Sequence, residues 1–356
     1  MFKQFAVPVL GLGLLIPLII WLVSGSSTQP TTQAWQSGWS SETAFHYARR
    51  APAAVVYNNH LYLIGGIDGD GHYVQTVEYA HINSNGRLGP WQLSSDLNQG
   101  RFYNAAVASN GYLYTLGGGS GERGHENYPL DSVERAPINR DGSLGPWQVV
   151  SHMTTARRGL KLVLHQNIFY AIGGYDGQFL KSSERAVLNG DGTIGEWQKE
   201  QYESLIDRYI HAAARHKNRL YLLGGHMRDP GQASYGDVES SQIQPDQTLS
   251  PWQIDPHPLL TPRLVAEAFV INQHLYIAGG HTGNSRLNSV EVTRINTDGT
   301  LAPWRYTTPL PQPRSAYAVA TDKNRVYVLG GGGDELPLNT VLMATANHRG
   351  ELGKPD

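Results

Sequence analysis

The sequence predicts an all-β fold in which one small antiparallel sheet is repeated six times around an axis and a strand from the front of the chain closes the ring. Three observations carry this. First, an arginine, a tyrosine 13 residues on and a Gly-Gly pair beginning at 16 recur six times. The arginines are Arg49, Arg101, Arg157, Arg208, Arg263 and Arg314, and the tyrosines Tyr62, Tyr114, Tyr170, Tyr221, Tyr276 and Tyr327. The pairs begin at Gly65, Gly117, Gly173, Gly224, Gly279 and Gly330. Second, a tryptophan closes every unit but the last: Trp91, Trp147, Trp197, Trp252 and Trp304. Third, what the last unit lacks stands ahead of the first, because Trp39 precedes Arg49 by 10 residues as Trp91 precedes Arg101.

Within the first unit, Ala53–Tyr57 is a short apolar run ended by the turn signal Asn58-Asn59. His60–Gly66 is a second strand ending in the glycine pair, where close backbone approach forbids a Cβ. After a variable polar loop, Thr76–Ile82 alternates as a third strand, and beyond Asn83-Ser84-Asn85-Gly86 a fourth begins around Trp91. Such a sheet cannot bury both faces alone, so each packs on its neighbours. The last unit reaches its turn at Asn347–Gly353 and stops at Lys354-Pro355-Asp356. The strand around Trp39 is therefore expected to complete the sixth sheet, leaving no open array ends.

The chain has 356 residues and a formal net charge of -2, with no lysine/arginine-rich run, so no broad electrostatic attraction to nucleic acid is expected. It has no cysteine, which excludes disulfides, thiolate metal sites and cysteine nucleophiles. Residues 5–23 carry no charge and as a helix would span about 28 Å, close to the hydrocarbon thickness of a bilayer. Lys3 precedes that stretch and no lysine or arginine follows before Arg49, an asymmetry that keeps residues 1–4 in the cytoplasm and sends the rest outside. A retained signal anchor fits the length; a signal peptide cleaved near Val23-Ser24-Gly25 is the alternative, with Pro8 and Pro17 awkward for a helix. Residues 24–38 read as a flexible polar spacer, 39–353 as the sheet array and 354–356 as a tail.

A tyrosine three residues before Gly-Gly, with a tryptophan some 25 to 30 residues after, resembles the kelch repeat, and six copies resemble the six-bladed kelch β-propellers. Gly142-Ser143-Leu144-Gly145-Pro146-Trp147 is similar to the closing phrase of bacterial kelch-like proteins. The resemblance implies a propeller from Trp39 to Gly353 and leaves function open: many members bind proteins, while the sialic acid mutarotase and galactose oxidase are enzymes. The copper site of galactose oxidase needs a cysteine that is absent here, and the sialidase box Ser-x-Asp-x-Gly-x-x-Trp is missing.

Residues repeated in every unit are expected to be structural, and residues that break the pattern to mark a site. The six arginines admit two readings. In kelch propellers that bind acidic peptides, arginines at this blade position line the mouth, which implies an anion-binding funnel. Against it, Glu78, Glu134, Glu184, Glu239 and Glu291 recur in the third strand, with Leu342 in the sixth unit, so an internal Arg–Glu clasp is simpler and leaves Arg314 the arginine without a carboxylate. Lys161 and Glu267 replace the alanines Ala53, Ala105, Ala212 and Ala318 and are expected near the central channel. His226 and His281 directly follow glycine pairs, and His211 begins a nearby inner strand; as a zinc set their spacing is weak, and loop roles are expected. The long loops add Tyr128 and Arg228 to the ligand-binding face. The Asn-x-Asp-Gly segments at Asn139, Asn189 and Asn296 lack calcium-loop spacing and read as hairpin turns.

The expectation is a membrane-tethered, non-catalytic module binding a protein or glycan on the loop face, with no metal or cofactor. The alternative is a sugar mutarotase or epimerase in which Glu267, Lys161 or His211 moves protons and arginines hold a sugar carboxylate.

Overall fold

The computed structural model describes residues 36–122, 127–227, 233–333 and 336–354. The apolar stretch 5–23 and most of the spacer lie outside the described residues, as does Arg228. Among the described residues no helix is long and apolar enough to cross a membrane.

Six antiparallel sheets are built as the periodicity requires. In blade 1, Ala53–Tyr57 pairs with His60–Ile64, then Val77–Ile82, then Leu88–Leu93. Asn58 and Asn59 both take positive φ (45° and 59°), the geometry of a type I′ turn. The innermost strands of the other blades are Ala105–Ser109, Lys161–His165, Ala212–His216, Glu267–Ile271 and Ala318–Asp322, each touching the next, and Ala318–Asp322 returns to Ala53–Tyr57. Blade 2 adds a small hairpin after its glycine pair, Gly119–Ser120 against Tyr128–Pro129.

The ring closes as Trp39 predicts. Ser40–Glu42 pairs with Val341–Ala346 in the register Ser40↔Met343, Ser41↔Leu342 and Glu42↔Val341. Leu352–Gly353 pairs further along the same strand, so the outer strand of blade 6 is assembled from both chain ends. Trp39 is buried in one cluster with Leu342, Leu352 and Val328.

The repeated residues hold neighbouring blades together. Five of the six tyrosines donate to a turn carbonyl of the next blade, as Tyr62 does to Gly142 O at 2.8 Å and Tyr327 to Gly86 O at 2.8 Å. The hydroxyl of Tyr276 is buried without a partner. The glycine pairs meet the following blade edge-on: a Cβ on Gly65 would lie 2.5 Å from Arg101 O, and Gly66 N–H donates to that carbonyl at 2.8 Å. The turns at Asn139, Asn189 and Asn296 are hairpin turns, each closed by its own aspartate, as Asp141 accepts Ser143 N–H at 3.0 Å.

Candidate functional site

The six repeated arginines do not open onto a funnel. All are buried, and each donates through Nη1 to the carbonyl of the first glycine of its own pair. Five are clasped by the third-strand glutamate: Arg49–Glu78 at 2.7 Å, Arg157–Glu184 at 2.9 Å and Arg208–Glu239 at 2.6 Å, with Arg101–Glu134 and Arg263–Glu291 alike. Each of these carboxylates also accepts a main-chain N–H from the loop ahead of the arginine: His46, Asn98, Thr154, Leu205 or Leu260. The clasp thus ties three segments of a blade connection to one buried charge pair. In blade 6 both halves change: Leu342 replaces the glutamate, and the matching loop position is Pro311, which has no N–H to offer. Arg314 is left with Gly330 O, Thr340 O and the Thr340 hydroxyl, and burial pushes it down to about 10.

Lys161 and Glu267 do come together. Lys161 Nζ lies 2.5 Å from Glu267 Oε1, bridging blades 3 and 5 past blade 4. Burial raises the Glu267 carboxyl above the ordinary carboxylate range, and Lys161 opposes that shift. Above the pair, Ala51, Tyr103, Gly159, Ile210, Val265 and Ala316 surround a cavity of about 30 Å3, room for a water or two. His211 is not among its walls; the imidazole is buried against Gly173, and burial holds it well below its ordinary value. The arginines expected to converge with Lys161 and Glu267 are inside their blades.

The mouth above this cavity carries residues that the repeat pattern hides. The position one after each arginine holds Arg50, Phe102, Arg158, Tyr209, Leu264 and Ser315. It breaks the repeat with five residue types in six blades, two of the six residues charged and two aromatic, and that variability was the signal that could have found it. Arg158 lies over three rings, 4.8 Å from the centroid of Tyr175, 5.3 Å from Tyr209 and 5.9 Å from Phe102. Its Nε is buried without a hydrogen bond, as is that of Arg50, and neither pairs with a carboxylate among the described residues. The aromatic surface continues through Tyr73, stacked on Phe102 at 5.0 Å, and Phe179, 5.7 Å from Tyr209 and 5.6 Å from His226. Tyr103 lies in the fields of Arg50, Arg158 and Glu267 together.

The other expected face residues are dispersed. Tyr128 is 43% exposed on the blade 2 hairpin and its hydroxyl accepts Gln99 Nε2–H at 3.0 Å. His281 Nδ1 accepts the N–H of Gly283 at 2.8 Å, which ties it to its own loop. His211, His226 and His281 form no metal-ligating group; among the described residues the one such group is Asp68, Asp70 and His72, their ligand atoms within 4.8 Å on an exposed loop.

Comparison with known proteins agrees with this architecture. The KLHDC2/KLHL20/DRC7 Kelch-repeats domain family matches residues 159–349, just over half of the chain, and the Kelch motif family matches residues 48–79. The solved structure of YjhT has a TM-score of 0.70 at 14% identity, covering 87% of this chain and 98% of that one, a likeness of fold. Alpha-scruin of Limulus polyphemus is 34% identical over 95 residues, which are 27% of this chain and only 10% of alpha-scruin.

Proposed function

The chain belongs to the KLHDC2/KLHL20/DRC7 Kelch-repeats domain family, whose propellers generally serve protein interaction, and on that premise we propose that it is a non-catalytic module that captures an acidic segment of a partner protein at the propeller mouth. The observation that carries this is Arg158: a guanidinium held by Phe102, Tyr175 and Tyr209 that pairs with no carboxylate among the described residues, beside Arg50 and Tyr103. A partly buried cation left uncompensated is a receptor for an incoming carboxylate, and the surrounding rings add contact area at low entropic cost. The sugar-isomerising alternative has less support. Lys161 and Glu267 are paired with each other, between the 30 Å3 cavity and a channel space of about 180 Å3, so neither is left as a free acid or base, and His211 is packed in a blade seam. On this reading the uncharged stretch 5–23 tethers the propeller outside the cytoplasm, which protease protection of intact cells tests.

Probing acidic, basic and neutral peptide arrays and a glycan array with the full chain tests the assignment. Acidic peptides are expected to bind, and Arg158→Met to weaken them about 10- to 30-fold. Binding that ignores peptide charge, or survives Arg158→Met unchanged, or is confined to glycans, rejects it.

A further inference from the structure

Each boundary between neighbouring blades carries two main-chain hydrogen bonds around the mouth, except one. In the first kind, the second glycine of a pair donates to the arginine carbonyl of the next blade: Gly66 to Arg101 O, Gly118 to Arg157 O, Gly225 to Arg263 O and Gly280 to Arg314 O at 2.8 Å, and Gly331 to Arg49 O at 2.9 Å. In the second, the residue two after each arginine bonds its counterpart, forming a belt about the axis. Ala51 donates to Ala316 O, Tyr103 to Ala51 O, Gly159 to Tyr103 O, Val265 to Ile210 O and Ala316 to Val265 O, all between 2.6 and 3.0 Å. Between blades 3 and 4 neither bond forms: Gly174 N–H does not reach Arg208 O, and Ile210 N–H does not reach Gly159 O.

The occupant of the gap is His211. A Cβ on Gly173 would lie 2.8 Å from its Cε1, whereas at Gly65, Gly117, Gly224, Gly279 and Gly330 the nearest atom is the next blade's arginine carbonyl. His211 is fully buried and both ring nitrogens lack a hydrogen-bond partner. Burial favours the neutral ring, as do the two cations acting on it, Lys161, paired to Glu267, and Arg208, clasped by Glu239; the main chain of Arg208, which the ring faces, opposes them. The corresponding positions in the other blades hold Pro52, Asn104, Leu160, Ala266 and Tyr317, and each leaves its two bonds intact. Above the gap, Tyr175 of blade 3 and Tyr209 of blade 4 meet at 5.4 Å, with Arg158 over both rings.

We propose that the boundary between blades 3 and 4 is the joint at which this ring yields, that His211 is the wedge holding it unzipped, and that a ligand bound across Tyr175 and Tyr209 restrains the joint. The first two parts stand on the hydrogen-bond pattern alone. The third rests on the mouth being the binding site. Four main-chain groups left without their inter-blade partners make this boundary the one whose opening at the mouth breaks neither of these two main-chain bonds. A ligand touching both blades gains affinity in proportion to how far the joint is already closed.

Amide hydrogen exchange of the full chain, followed residue by residue by NMR, tests this. Gly174 and Ile210 are expected to exchange at least about 10-fold faster than Gly118, Gly225 and Val265. His211→Ala, which removes the wedge, should slow both amides toward the rates of the other boundaries, and His211→Asn, smaller but still polar, should slow them less. Equal rates at all six boundaries in the native chain overturn the joint, and unchanged rates in both variants overturn the wedge. Addition of an acidic peptide that binds should slow Gly174 and Ile210 selectively. If it binds and leaves them unchanged, the coupling is wrong while the joint stands. If no peptide binds, the coupling falls with the assignment of the mouth, and the exchange of the free chain still decides the joint.

Discussion

Lys161 Nζ and Glu267 Oε1 meet at 2.5 Å, so a pair from blades 3 and 5 spans the axis at the level where the other inner strands present small residues. Folding moves the Glu267 carboxyl above its ordinary range, so the native chain holds that proton more tightly than the unfolded chain. The sign follows from linkage: the contribution of this proton is fully present below the unfolded value of Glu267, about 4, and is lost as pH rises through the raised folded value. Urea unfolding of the native chain and Glu267→Gln across the acid range should show the native chain losing relative stability as pH climbs. Lys161→Met, which removes the opposing charge, should extend that loss to higher pH. Parallel pH profiles would mean that Glu267 titrates as it does unfolded.

The arginine ring predicts an unequal mutational series. Arg157→Met leaves Glu184 buried without its cation and should destabilise by about 3–5 kcal/mol. Arg314→Met leaves only the carbonyls of Gly330 and Thr340 and a threonine hydroxyl behind, at about 1–3 kcal/mol. Denaturant midpoints of the two variants check the order. A larger loss at Arg314 would show that the clasp is not what the ring contributes.

Ring closure rests on three residues of strand from the front of the chain. Ser41→Pro removes a main-chain donor opposite Leu342 and disfavours the extended pairing of Ser40–Glu42. Thermal unfolding should fall by several degrees, with exchange accelerating first in Val341–Ala346 and not in the inner strand of blade 3. Uniform acceleration in all blades would contradict local closure.

Most of the fold was legible because its determinants recur. Six agreeing copies average out local ambiguity, and the absent tryptophan strand after Asn347 pointed to Trp39 without any long-range information. The composite outer strand, half of it Leu352–Gly353, was not legible, since two residues carry no pattern. The clasp was legible from the recurrence of arginine with glutamate. The mouth was not, because Arg50 and Arg158 directly follow the repeated Arg49 and Arg157 and share their residue type, and because an aromatic cage assembled from Phe102, Tyr175 and Tyr209 draws on three blades. His211 was visible as an odd residue, but its position in a boundary depends on the fit of two backbones that the sequence does not encode locally.

The cage makes a graded prediction for ligand binding. Tyr209→Leu keeps the bulk beside Gly159 but removes one ring from Arg158 and should weaken an acidic ligand by about 0.5–2 kcal/mol. Glu267→Gln, below the mouth, should change affinity little. Isothermal titration of both variants separates the mouth from the channel: a dominant loss in Glu267→Gln would move the site to the axis.

The most direct measurement is where a bound acidic peptide protects the propeller from hydrogen exchange. Protection is expected on the connections that carry Arg50, Phe102, Arg158 and Tyr209. None is expected at the opposite ends of the inner strands, at Asn58-Asn59, Asn110-Gly111, Gln166-Asn167 and Lys217-Asn218. Protection confined to those turns, or to the outer strands, would contradict the assignment of the mouth.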